Sequence, residues 1–98
     1  MHTVAVCGIG YVGLVTAACL AHLGNDVVAY DTDLTKVAML NAGTLPFHEP
    51  GLDAIVRKTI TNGRLRFMSS PEQALVGREI AFIAVGTPVG PLGDADLT

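Results

Sequence analysis

Near the start of the chain, Val4-Ala5-Val6-Cys7-Gly8-Ile9-Gly10-Tyr11-Val12-Gly13-Leu14-Val15 carries three glycines at G-x-G-x-x-G spacing. The chemistry open to such a stretch is recognition of a diphosphate by the main chain itself. Gly8 permits a tight turn, Gly10 has no Cβ to hold a phosphate away from the backbone, and Gly13 lets the following helix pack close to a sheet. The first amides of that helix and the positive end of its dipole then meet the anion. Tyr11 and Val12 lie inside the same turn and count with the glycines as candidate binding residues. A glycine triplet alone is a weak signal in a chain with 11 glycines. It gains force from its context: a strand before it, a helix after it and an acid about 20 residues further on.

Asp31 fills the place of that acid, 18 residues after Gly13. A carboxylate there accepts hydrogen bonds from the adenosine ribose hydroxyls and repels a 2′-phosphate, so NAD is expected in preference to NADP. Taken alone, Asp31 would serve equally as a turn residue or helix cap. Lys36, five residues on, is badly placed for the helix dipole, which favours negative charge at that end. It is either an ordinary solvated lysine or a group that reaches round to the adenosine ribose.

The elements that must position these residues alternate between strand and helix. Residues 4–7 read as a buried strand, and the small and apolar residues from Val12 to Leu23 as a helix that ends at Gly24-Asn25. Asp26 to Tyr30 is a second strand, delivering Asp31. Thr32-Asp33 caps a helix with Leu34, Val37, Ala38 and Leu40 at helical spacing, stopped by Asn41-Ala42-Gly43. After a loop, Pro50 suits a first helical position, Glu49 caps it or favours its dipole, and Leu52, Ile55, Val56 and Ile60 give one apolar face up to Asn62-Gly63. Glu49 is therefore read as structural. Arg64 to Met68 alternates like a half-exposed strand, and Ser70-Pro71-Glu72-Gln73 has capping-box spacing for a short helix closing at Gly77. Ile80-Ala81-Phe82-Ile83-Ala84-Val85 is a continuous apolar run, the pattern of a parallel strand covered on both faces.

This order predicts an α/β fold, a Rossmann-type doubly wound parallel sheet in which the fourth strand lies beside the first, on the side away from the second. Ligands bind outside the carboxyl ends of strands at such a reversal, so Gly86 and Thr87, which follow the fourth strand, are expected to line the same crevice as Gly8 to Gly13. Thr87 also reads as a turn hydroxyl and Pro88 as a strand stopper.

Half the residues are hydrophobic, unusually many for a small independent unit, which suggests faces covered by further chain. The net charge of −3 comes from scattered residues, with no basic patch for nucleic acid or an anionic membrane. Neither a signal peptide nor an apolar span is recognisable, so a cytoplasmic protein is expected. Cys7 and Cys19 read as small core residues without the basic neighbours of a reactive thiol. His2, His22 and His48 are too far apart for a metal site.

With those residues placed, the chain resembles the UDP-glucose/GDP-mannose dehydrogenase family over its whole length. The resemblance rests on the glycine motif with its Tyr11-Val12, on Asp31 with Lys36, on Pro46-Phe47-His48-Glu49-Pro50-Gly51-Leu52, on Val85-Gly86-Thr87-Pro88 and on Asp94-Ala95-Asp96-Leu97. It implies an NAD-dependent oxidoreductase that takes the C6 alcohol of a nucleotide sugar to a carboxylate in two hydride transfers, through an intermediate held on a cysteine. It also implies that Val12, Asp31, Lys36 and Thr87 contact the coenzyme. The family's catalytic cysteine, lysine and carboxylate have no counterpart in this segment, and neither Cys7 nor Cys19 stands in for the first. Residues 1–98 are thus expected to be the N-terminal part of an NAD-binding domain, inactive alone, from an enzyme that is a homo-oligomer at full length. The overall likeness favours UDP-glucose as the substrate, with GDP-mannose and UDP-N-acetylmannosamine as alternatives. A non-catalytic dinucleotide sensor, or a dehydrogenase of a small hydroxy acid, shares the glycines and Asp31, although the hydroxy-acid reading leaves Glu49-Pro50-Gly51-Leu52 unexplained.

Overall fold

The computed structural model describes residues 1–45 and 49–84. Four strands and four helices follow one another as β1 (Thr3–Cys7), α1 (Tyr11–His22), β2 (Asp26–Tyr30), α2 (Leu34–Asn41), α3 (Leu52–Thr61), β3 (Leu65–Met68), α4 (Pro71–Leu75) and β4 (Ile80–Ile83). The strands form one sheet in the order β3-β2-β1-β4, parallel throughout. The chain therefore steps outward from β1 to β3, then returns to place β4 on the other side of β1. That reversal is the expected one.

Alternation along the strands sorts the core. Val4, Val6, Val27, Ala29, Leu65 and Phe67 cluster with Leu14, Ala17, Ala18 and Ala21 of α1, Val37 and Leu40 of α2, and Leu52 and Val56 of α3. Ala5 and Val28 point the other way and are fully buried, as is Ala74 of α4. The alanines along α1 bring its backbone close to the sheet, so the turn feeding it is short. Asp33 caps α2 by accepting from the Lys36 amide at 3.1 Å, and Ser70 caps α4 from the Gln73 amide. On the outer side of β3, the Asn41 side chain donates to the Phe67 carbonyl at 3.0 Å and accepts from the Phe67 amide at 3.3 Å, imitating a neighbouring strand.

Two expectations are corrected here. Pro50 is not the first residue of α3: Gly51, with φ of 85°, is the N-cap, and the helix begins at Leu52. Its left-handed conformation starts the helix two residues later than the proline suggests. The second concerns β4, which is the outermost strand rather than a covered one, and its Ile80, Phe82 and Ile83 are all exposed. No other described element covers it.

Candidate coenzyme site

Register brings the ends of the strands together, with Cys7 opposite Tyr30 and Ile83, and Tyr30 opposite Met68. Gly8 follows Cys7 with φ of 105°, a conformation that side chains rarely adopt. Its amide donates to the Tyr30 carbonyl at 2.7 Å, which ties the turn to β2. Ile9 is then fully buried, and Gly10 becomes the N-cap of α1 with no side chain to offer the helix's first amides. No acidic residue stands in that first turn, so its dipole end is left to an outside anion.

The other two glycines do different things. A Cβ at Gly13 would fall 1.8 Å from the Gly8 carbonyl oxygen, so only glycine lets α1 begin this close to the strand it follows. A Cβ at Gly10 would meet nothing within 4 Å. Open space above a bare main chain at the N-cap is what a diphosphate needs in order to approach, and on this observation the turn fits the coenzyme.

Asp31 lies beside the turn and holds it. Oδ2 accepts from the Ile9 amide at 3.0 Å, and Oδ1 from the Asp33 amide at 2.9 Å. Lys36 Nζ is 3.5 Å from Oδ2. Partial burial pushes the Asp31 carboxyl up, but the Asp33 and Ile9 amides and the charge of Lys36 outweigh it and hold the group below its ordinary value. Lys36, unfavourable for the dipole of α2, is thus compensated by Asp31 next to it. The structure brings Gly8, Gly10, Gly13, Asp31 and Lys36 together at the carboxyl ends of β1 and β2. Tyr11 and Val12 are exposed on the first turn of α1. Gly86 and Thr87 lie outside the described residues, as do Pro46, Phe47 and His48.

Sequence reasoning missed Ile9, whose amide ties the glycine turn to the Asp31 carboxylate. A backbone group leaves no trace in residue types. Glu49 does not cap α3, whose N-cap is Gly51 with no side-chain cap bond; only its main-chain carbonyl takes part, accepting from the Leu52 amide at 3.0 Å. Cys7 is buried on β1, whereas Cys19 is exposed on α1, a correction to its reading as a core residue. Among the described residues no group of three or more His, Cys, Asp or Glu side chains could hold a metal, and no helix is long and apolar enough to cross a membrane.

A family model described as the UDP-glucose/GDP-mannose dehydrogenase family, NAD binding domain, matches residues 2–98. The chain belongs to this family. It is 50% identical over 93 residues to a UDP-glucose 6-dehydrogenase of Pseudomonas aeruginosa, covering 95% of this chain and 20% of that protein. Among solved structures, a UDP-glucose dehydrogenase of Pyrobaculum islandicum superposes with a TM-score of 0.92 at 44% identity, covering 99% of this chain and 22% of that one. A GDP-mannose dehydrogenase of Pseudomonas aeruginosa, solved as a ternary complex, superposes at 0.90 with 38% identity, over 96% and 22% of the two chains. The chain therefore spans about a fifth of the length of these relatives. It is an NAD-binding domain of Rossmann type within a family of dehydrogenases.

Proposed function

We propose that this chain holds NAD for the oxidation of a nucleotide sugar at C6, with UDP-glucose as the substrate, and that it forms the N-terminal part of the domain that does so. The observation that carries the reading is the pairing of an open, side-chain-free N-cap at Gly10 with a carboxylate, Asp31, fixed beside it through the Ile9 amide. Gly8, Gly10 and Gly13, with the Tyr11 and Val12 amides, cradle the diphosphate. Asp31 accepts from the adenosine ribose hydroxyls and Lys36 supports it, while Gly86 and Thr87 flank the phosphates from the end of the neighbouring strand. When bound, the coenzyme supplies the hydride acceptor, and two NAD are consumed per sugar carried to the carboxylate.

What these residues contribute is binding and orientation. Main-chain amides and a helix dipole grip the diphosphate without a protein charge, and the ionised Asp31 selects free ribose hydroxyls. The likeness to the dehydrogenase family supports reading the groups that do the chemistry as lying outside residues 1–98, and these residues alone as inactive. The intact enzyme is read as cytoplasmic and as a homo-oligomer.

Identity to the UDP-glucose enzymes favours glucose; GDP-mannose is the second reading, supported by the likeness to the mannose enzyme. Both are tested by offering the full protein UDP-glucose, GDP-mannose and UDP-N-acetylmannosamine with NAD and following NADH formation. UDP-glucose is expected to be oxidised with two NADH formed per sugar, and turnover of the mannose substrate alone would overturn the choice. Replacing Asp31 by Ala is expected to erode the preference for NAD over NADP, and unchanged affinity for both would refute its role.

A further inference from the structure

Lys36 has a second property that its pairing with Asp31 conceals. Among the described residues, Asp31 is the one carboxylate within ion-pair distance of its Nζ, at 3.5 Å. The Asp33 carboxylate nearby is turned to the Lys36 main-chain amide, which it caps. The two paired side chains are 29% and 17% exposed, so both remain within reach of a ligand. Lys36, though not Asp31, also borders a shallow cavity of about 170 Å³ along the start of α2, lined with it by Asp33, Thr35 and Met39. Lys36 is thus a cation at the N-terminal end of a helix, with room next to it, held in check by a single carboxylate.

Resting on the reading of Asp31 as the ribose acceptor, we propose that Lys36 sets which coenzyme the site accepts. Paired with Asp31, it steadies the carboxylate toward free 2′ and 3′ hydroxyls. With the carboxylate neutralised, the same ammonium becomes the receptor for a 2′-phosphate, so that one substitution at residue 31 turns exclusion of NADP into its capture. Both states use only groups already in place: Nζ has three donors, and a phosphate oxygen replaces a carboxylate oxygen as their acceptor. An Asn at residue 31 keeps one acceptor, for the Ile9 amide, and removes the charge together with the bond accepted from the Asp33 amide, a loss common to every variant compared below.

The test is titration of NAD and NADP against the full protein and its variants Asp31→Asn, Asp31→Asn with Lys36→Met, and Asp31→Asn with Lys36→Arg, with circular dichroism confirming that each is folded. A charge-assisted contact to phosphate corresponds to tenfold or more in affinity. Asp31→Asn is therefore expected to raise the NADP to NAD affinity ratio at least tenfold, Lys36→Met to cancel about tenfold of that gain, and Lys36→Arg to preserve it. Equal NADP affinity with and without the Lys36→Met change would overturn the proposal while leaving the ribose role of Asp31 standing. Unchanged NAD and NADP affinities in Asp31→Asn would remove that role and the proposal together. If Asp31→Asn does not fold, Asp31→Ser carries the same comparison.

Discussion

Gly13→Ala puts one methyl group where the structure has no space for it. The added carbon would lie 1.8 Å from the Gly8 carbonyl oxygen and 3.0 Å from the carbon behind it. The obstacle is backbone in a turn already fixed at φ of 105° and bonded to Tyr30, so it cannot rotate away as a side chain would. Relief requires α1 to lift from the sheet by more than 1 Å or so, opening a gap under Leu14, Ala17, Ala18 and Ala21, all of which are buried. Overpacking of this kind costs about 1–3 kcal/mol, and an unyielding contact belongs at or above the top of that range. Gly10→Ala is the control. Its Cβ meets nothing within 4 Å and φ is −82°, so the cost is limited to a poorer helix cap, about 1 kcal/mol or less. In urea unfolding followed by circular dichroism, Gly13→Ala is expected to lower the midpoint by about 1–3 M, given slopes of about 1–3 kcal/mol/M. Gly10→Ala is expected to move it far less. NAD titration should reverse the contrast, because the methyl at residue 10 stands in the space left for the diphosphate and lowers affinity at least about tenfold, the loss of roughly one good contact. If the two variants unfold at the same urea concentration, the close approach of α1 to its turn is not what Gly13 provides, and the reasoning fails.

Two further outcomes follow from the same geometry. Because the Asp31 carboxyl is held below its ordinary value in the folded chain, its contribution to stability is present above the unfolded value, about pH 3.9. That contribution is lost as pH falls through the lowered folded value. Acid unfolding of Asp31→Asn should consequently show a flatter decline below about pH 4; an acid limb identical to that of the parent chain would contradict the bonding described for Asp31. Asn41→Ala removes both bonds to Phe67 and is expected to cost about 1–2 kcal/mol in urea unfolding, whereas a change within about 0.5 kcal/mol would show that those bonds add nothing.

How far the site could be read from residue types depends on what carried each part of it. The turn was legible because three glycines with separate physical reasons stand between a β-branched run and an alanine-rich helix. Asp31 was legible because strand length and spacing place it at the carboxyl end of β2. The order β3-β2-β1-β4 followed from alternating elements and the handedness of crossovers. The union of Asp31 with the Ile9 amide was not legible, since it depends on the register of β1 against β2 and on a main-chain donor. Nor was the cluster at the opposite end of the sheet, where Arg66 and Arg78 both pair with Asp26, at 3.2 and 3.3 Å. Those residues are 40 and 52 positions from Asp26 in the chain, and charge spacing along a sequence does not reveal such contacts. Pro50 misled because a glycine in left-handed conformation overrode the usual preference of proline. Ile80 to Ile83 misled because hydrophobicity reports a tendency to be buried, not whether a cover is at hand.

The amide of Asn41 leaves the sheet with two unlike flanks. Any strand arriving beside β3 would have to evict a side chain already bonded to both main-chain groups of Phe67, whereas β4 presents its outer rim with no such guard among the described residues. Growth of the sheet is thereby steered in one direction, and a primary amide at the foot of a short helix acts as its terminator.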